Sequence, residues 1–142
     1  MSLEGLVEAH VEIEGEPKPK ERPRKTGNWV YTPRKTKERE KKIAEAFKDR
    51  YDGMFGKGIP LRLEMDFYFS IPKSGTKKER AERAENRKRP MGKGDIDNLQ
   101  KTVADALNKV AYYDDSQIAE MVGRKYWGEV GKTVVRIMRL DV

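Results

Sequence analysis

The residues best equipped for chemistry in this 142-residue chain are four aspartates and a lysine. Asp95 and Asp97 stand in Gly94-Asp95-Ile96-Asp97-Asn98-Leu99-Gln100-Lys101. Asp114 and Asp115 stand in Tyr112-Tyr113-Asp114-Asp115-Ser116-Gln117. Each pair alone has an ordinary explanation. An aspartate at a helix start caps backbone N–H groups and suits the helix dipole, and aspartate is common in turns. Gathered in one place, such carboxylates repel and need a hard cation between them. Mg²⁺ takes oxygen ligands and keeps several waters, so two or three aspartates suffice. An ion held that way can polarise a phosphodiester, orient water and stabilise a leaving oxygen. Lys101 lies four residues after Asp97 on the same helix face. It reads either as a helix ion pair worth about 0.3–0.5 kcal/mol or as a cation that neutralises charge developing on a phosphate. Asp105 continues the stripe and reads as Lys101's other neighbour, a structural one.

Composition narrows the alternatives. There is no cysteine, which excludes disulfides, zinc–thiolate sites and thiol nucleophiles. His10 is the single histidine, and it alternates with Glu8 and Glu12 as an exposed strand residue would. A carboxylate–Mg²⁺ centre is the metal site this composition can build. The net charge is +7, the footprint of a protein that meets phosphates. The charge is concentrated in two segments. Residues 15–27 form a proline-rich arm with Lys18, Lys20, Arg22, Arg24 and Lys25. Residues 72–94 read as a flexible basic loop with Lys73, Lys77, Lys78, Arg80, Arg83, Arg87, Lys88, Arg89 and Lys93 against three glutamates. Both are candidate DNA-binding runs. Trp29 and Tyr31 follow the first. They can stack on bases, though their apolar area favours packing in the core or against another strand.

The elements that must position these groups follow from periodicity. Leu6 to Glu14 alternates as a half-buried strand, and Trp29-Val30-Tyr31 reads as a short one. Thr32 as N-cap and Pro33 at the first position open a helix running to about Tyr51, with Ile43, Phe47 and Tyr51 inward. Pro60 to Ile71 is a strand whose Arg62–Ser70 face is partly wet. Asp95 to Val110 is a second helix, buried through Leu99, Val103, Leu107 and Val110. Strands at about Gln117–Tyr126 and Lys132–Leu140 are joined by a turn at Gly128–Gly131. The fold expected is α+β. One domain, residues 1–142, holds a mixed sheet of about four strands with two main helices on one face. Met1-Ser2-Leu3 is assigned no place in it. No apolar run is long enough for a membrane span, and a cytoplasmic protein is expected. A helix of about 15 residues is roughly 22 Å long, which separates Asp95 from Asp115. Either the helix crosses the sheet obliquely, or a partner subunit supplies the second acid group.

The pattern Asp95-x-Asp97-Asn98-Leu99-x-Lys101, then Asp105-Ala106-Leu107, then Tyr113-Asp114-Asp115-Ser116-Gln117 resembles the RusA family of Holliday junction resolvases of bacteria, prophages and phages. The likeness covers about Gly94 to Gln117. It implies a homodimeric, Mg²⁺-dependent endonuclease that makes paired nicks in four-way DNA junctions during recombination and repair. The family's catalytic aspartates correspond to Asp95, Asp97 and Asp115, and its lysine to Lys101. Asp114 is a further metal-ligand candidate, and Asn98 a structural neighbour. Two departures bear on substrate preference: Lys93-Gly94 stands where members often have Lys-Pro, and the basic stretch before the motif is long. The other readings are a non-catalytic nucleic-acid-binding module of the same fold, another branched-DNA nuclease, and a small adaptor whose aspartates only cap and turn.

Overall fold

The structure is a computed structural model and describes every residue except Met1 and Glu4. Its elements are β1 (Glu8–Glu14), β2 (Arg24–Thr26), β3 (Trp29–Tyr31), α1 (Arg34–Arg50), β4 (Leu61–Ser70), α2 (Lys77–Ala84), α3 (Ile96–Leu107), β5 (Ile118–Gly128) and β6 (Lys132–Arg139), with a 3-10 turn at Asp115–Gln117. Four strands form one sheet in the order β1-β6-β4-β5, while β2 and β3 pair separately. The pairs β1–β6 and β6–β4 are antiparallel, and β4–β5 is parallel. A parallel pair needs a crossover, and here that crossover carries α2 and α3. The α+β expectation holds, with α2 added. Among the described residues no helix is long and apolar enough to cross a membrane.

Alternation puts Leu61, Leu63, Met65, Phe67 and Phe69 of β4 on one face with Ala9, Val11 and Ile13 of β1 and Val135 and Ile137 of β6. On that face α1 contributes Ile43 and Phe47, and α3 contributes Leu99, Val103 and Leu107. The two helices touch, α1 over β1 and α3 beside β5. Leu3 is buried in this core, and its N–H donates to the Asp52 carbonyl at 3.3 Å. Leu3 therefore does take part in the fold, through an apolar side chain that the core accepts, while Met1 lies outside the described residues. Helix α1 starts one residue later than its sequence signals suggest. Pro33 occupies the cap and makes no side-chain hydrogen bond, and its carbonyl accepts from the Lys37 N–H at 3.1 Å.

The other sheet face carries a lattice of charges. Glu64 and Asp66 of β4 face Arg124 of β5 and Arg136 of β6 at 3.0–3.4 Å, and Arg62 pairs with Glu120. Here like charges are offset by opposite ones across the strands, which explains the strict alternation of Arg62 to Ser70.

The segment 72–94 is not the free loop its composition suggests. Thr76 caps α2, accepting from the Glu79 N–H at 3.1 Å. Beyond the helix, the Asn86 side chain pairs with both backbone groups of Trp127: Oδ1 accepts from N–H at 2.8 Å and Nδ2 donates to the carbonyl at 3.3 Å. Arg89 Nε donates to the Lys125 carbonyl at 2.6 Å and stacks 4.2 Å above the Tyr126 ring. These contacts satisfy the backbone at the end of edge strand β5. They dock the segment without any apolar stripe. Lys73, Lys77, Lys78, Arg87, Lys88 and Lys93 remain exposed.

At the end of α3, Tyr112 is fully buried, and its hydroxyl donates to the Ala104 carbonyl at 2.5 Å. That carbonyl belongs to the last helical turn, where the chain supplies no intrahelical partner. Burial, then the nearby charges of Asp115 and Asp105, push the phenol's pKa well above its ordinary value, so the hydroxyl stays a donor. Tyr112→Phe should therefore cost about 1–3 kcal/mol by stranding a buried carbonyl. Urea unfolding should show a lower midpoint at unchanged m; an unaltered midpoint would show that water replaces the phenol.

Candidate active site

Helix α3 runs antiparallel along β5, and small residues set how close it comes. A Cβ on residue 123 would overlap the Gln100 side-chain amide; glycine there lets the helix lie against the strand. Near its start, the Lys125 ammonium donates to the Gly94 carbonyl. Gly94 has φ +101°, and a Cβ there would meet Pro19 at 3.0 Å, so glycine is needed for both its left-handed backbone and its close packing. The register brings Asp97, Gln100, Lys101, Ala104 and Asp105 of α3 opposite Asp115, Ile118, Ala119 and Met121, lining a cleft of about 440 Å³.

Asp97 and Asp115 thus share one groove with Lys101. Along the helix, Asp97 and Asp105 are separated by about 12 Å of rise. Among the described residues no three Asp, Glu or His side chains come close enough together to hold a metal ion. Asp95 occupies the N-cap of α3, and its carbonyl accepts from the Leu99 N–H at 3.1 Å, yet its side chain makes no capping hydrogen bond. Asp95, Asp97, Asp115 and Lys101 are exposed, and none takes part in an ion pair among the described residues. In a chain with 31 Lys and Arg against 24 Asp and Glu, carboxylates without partners are not explained by a shortage of cations. Their all-oxygen donor set, beside a phosphate-sized groove, suits a hard cation that keeps waters and takes only one or two protein carboxylates.

Asp114 faces elsewhere. Its carboxylate accepts from the Ser116 N–H at 3.0 Å and caps the 3-10 turn. The side-chain hydrogen bond to Ser116, then the backbone one, hold its pKa below the usual carboxylate value. It lines a second cleft with Lys57, Tyr113 and Gln117. The adjacent aspartates are thereby divided, Asp115 to the α3 groove and Asp114 to the turn.

Gln117 holds that turn in place, a role the sequence reading missed. Its Nε2 donates to the carbonyls of Gly56 (2.9 Å) and Ile59 (3.1 Å), and its Oε1 accepts from the N–H groups of Tyr113 (2.9 Å) and Asp114 (3.2 Å). The whole hydrogen-bonding capacity of the amide is spent. The spacing Asp114-x-x-Gln117 is that of a capping box and was the available signal.

The expected basic residues divide as well. Lys20 is pinned: its side chain is 15% exposed, and its ammonium meets Glu40 at 2.8 Å and Asp105 at 3.2 Å. Asp105 is therefore Lys20's partner and not Lys101's. The backbone N–H of Lys20 donates to the Asn98 carbonyl at 3.0 Å, which fastens the proline-rich arm along α3. Lys18, Arg22, Arg24 and Lys25 are exposed, while Arg89 is held on β5.

A family model described as Endodeoxyribonuclease RusA matches residues 14–138. An uncharacterised protein of Bacillus subtilis (strain 168), YqaN, is 33% identical over 84 residues, 58% of this chain and 59% of that protein. A protein of Lactococcus phage r1t named crossover junction endodeoxyribonuclease rusA is 31% identical over 95 residues, 66% of each chain. The chain thus spans about three fifths to two thirds of the length of these relatives.

Burial lowers the pKa of the Lys20 ammonium, but its hydrogen bonds to Glu40 and Asp105 raise it more, leaving it above 10.5. Lys20→Met should destabilise the protein by about 1 kcal/mol or less at neutral pH. The parent's advantage should be complete below pH 10.5 and vanish as pH rises through the higher folded-state value. Urea unfolding of both proteins across that range checks the sign; an advantage that grows with pH would refute it.

Proposed function

The chain belongs to the RusA endodeoxyribonuclease family, and from that premise we propose that it is a divalent-metal-dependent nuclease that resolves four-way DNA junctions by paired nicking in recombination and repair. The observation that carries this reading is that Asp95, Asp97 and Asp115 have no structural employment. Asp95 sits at a cap without capping, and Asp97 and Asp115 line a groove with Lys101 yet enter no ion pair among the described residues. Free carboxylates facing DNA are repulsive unless a cation offsets them.

Asp95 and Asp97, at the start of α3, would hold Mg²⁺ together with a phosphate oxygen of the substrate. When bound, the ion would supply Lewis-acid polarisation of the scissile phosphodiester and lower the cost of its developing charge. Asp115 would orient the attacking water and accept its proton. As the new P–O bond forms and the bond to the leaving sugar oxygen breaks, the Lys101 ammonium would offset negative charge on that oxygen. Each site would be completed when a second subunit or the DNA closes the groove. A twofold homodimer would match the two equivalent cleavage positions of a symmetric junction. The exposed Lys18, Arg22, Arg24, Lys25, Lys73, Lys77, Lys78, Arg87, Lys88 and Lys93 would contact phosphates, making binding fall steeply with salt.

Asp97→Asn and Asp115→Asn should each reduce junction cleavage at least about a hundredfold while sparing binding. Cleavage by the parent should follow added Mg²⁺ and stop with a chelator. A gel assay of a synthetic four-way junction against linear duplex tests all of this. Undiminished cutting by either variant would remove that residue from the site, and binding without scission at any Mg²⁺ concentration would leave only a DNA-binding module.

A further inference from the structure

The β2–β3 ribbon sets three large apolar side chains in solvent beside concentrated positive charge. Every residue of both strands is exposed: Trp29 is 79%, Val30 66% and Tyr31 44% accessible. Of the two roles their apolar area favoured, core packing does not occur and pairing against another strand does. A two-stranded ribbon this short has no hydrophobic face of its own to bury, so its aromatic residues are not explained by folding.

Pairing places Arg24 opposite Tyr31 and Thr26 opposite Trp29. Side chains alternate across a strand, so Arg24, Thr26, Trp29 and Tyr31 share one face of the ribbon. Trp29 and Tyr31 are two residues apart, about 6.8 Å along an extended strand. That is about twice the 3.4 Å rise between stacked bases, so the two rings can flank a single base. Neither ring packs on another aromatic ring among the described residues. Arg22 precedes this face, Lys25 stands on the opposite one with Val30, and Arg24 is loosely tied to Glu21 at 3.7 Å. The ribbon is also tethered to the acid groove. Lys20, fastened to Asn98 and Asp105 of α3, is only four residues from Arg24, a reach of about 14 Å at most.

The geometry points to the β2–β3 ribbon as a base-stacking finger that takes an unpaired nucleobase at a DNA branch point between Trp29 and Tyr31, with Arg22 and Arg24 on the adjoining phosphates. Such a platform tolerates any base, because every base has a π face, and it discriminates branched from continuous DNA because a closed duplex offers no free base to stack. The inference rests on the reading of the chain as a junction nuclease.

Trp29 reports on itself, since the chain's other tryptophan, Trp127, is buried. The test uses the full chain carrying Asp97→Asn, to prevent cleavage, with a synthetic four-way junction and a linear duplex as probes. The junction should quench the exposed tryptophan emission and shield it from iodide, and the duplex should do neither. Trp29→Ala should abolish the quenching and weaken junction binding about tenfold with duplex binding unchanged. Trp29→Phe should keep most of the affinity, which excludes a folding defect. Quenching that is absent, or equal with duplex, overturns the proposal, as does equal loss on both DNAs in Trp29→Ala. Emission that changes with protein concentration alone, together with a dimer lost in Trp29→Ala, assigns the ribbon to a subunit interface and overturns it too. If the parent binds no junction in preference to duplex, the nuclease reading itself has failed, a result separable from a junction that binds but leaves Trp29 unquenched.

Discussion

The close approach of α3 to β5 at Gly123 governs the functional half of the molecule. Without a side chain at 123, the Gln100 amide lies against the strand, and the helix axis is drawn alongside the sheet edge. Everything that matters chemically is then a matter of register. The start of α3, with Asp95 and Asp97, falls beside Lys125, and its end, with Asp105, falls beside the turn that carries Asp115. A bulkier residue at 123 would push the Gln100 side chain aside from the strand, while the core stripe of Leu99, Val103 and Leu107 on the helix's other side would survive.

The structure separates charges that are spent from charges that are kept. Glu64 and Asp66 are neutralised by two arginines, Asp105 and Glu40 by Lys20, and Asp114 by the backbone of its own turn. Polar side chains do much of the fastening that apolar contacts cannot. Gln117 ties the acid turn to the chain at Gly56 and Ile59, and Asn86 imitates a neighbouring strand for Trp127. Among the described residues the acids that enter no ion pair include Asp97 and Asp115 along the groove, which is where a nuclease would need negative potential to gather a divalent ion.

The sheet and both main helices were legible from periodicity, because β4 alternates cleanly and α3 has an unbroken apolar stripe. The motif residues could be chosen from type and spacing alone. Long-range partners were not legible. Nothing local distinguishes Lys20, a pinned ion-pair residue, from Lys18 or Arg22, and only the tertiary fold supplies Glu40 and Asp105. The composition of residues 72–94 suggested freedom because its docking uses one amide and one guanidinium on backbone atoms, a kind of contact that leaves no hydrophobic pattern. For Trp29 and Tyr31 residue type favoured packing in the core or against another strand; they pair in a strand, but in a ribbon whose residues are all exposed, which nothing local decides.

The parallel pairing of β4 with β5 has a bearing on how the chain acquires its chemistry. The two strands meet only after the long connection from Ser70 to Ile118 has closed, and non-local parallel pairing is intrinsically slow because loop entropy is lost before contacts form. Asp97 lies within that connection and Asp115 at its far end. A nascent or partly unraveled chain therefore carries every acidic group of the motif yet lacks the groove that Asp97, Lys101 and Asp115 share, which arrives with completion of the tertiary structure and not before.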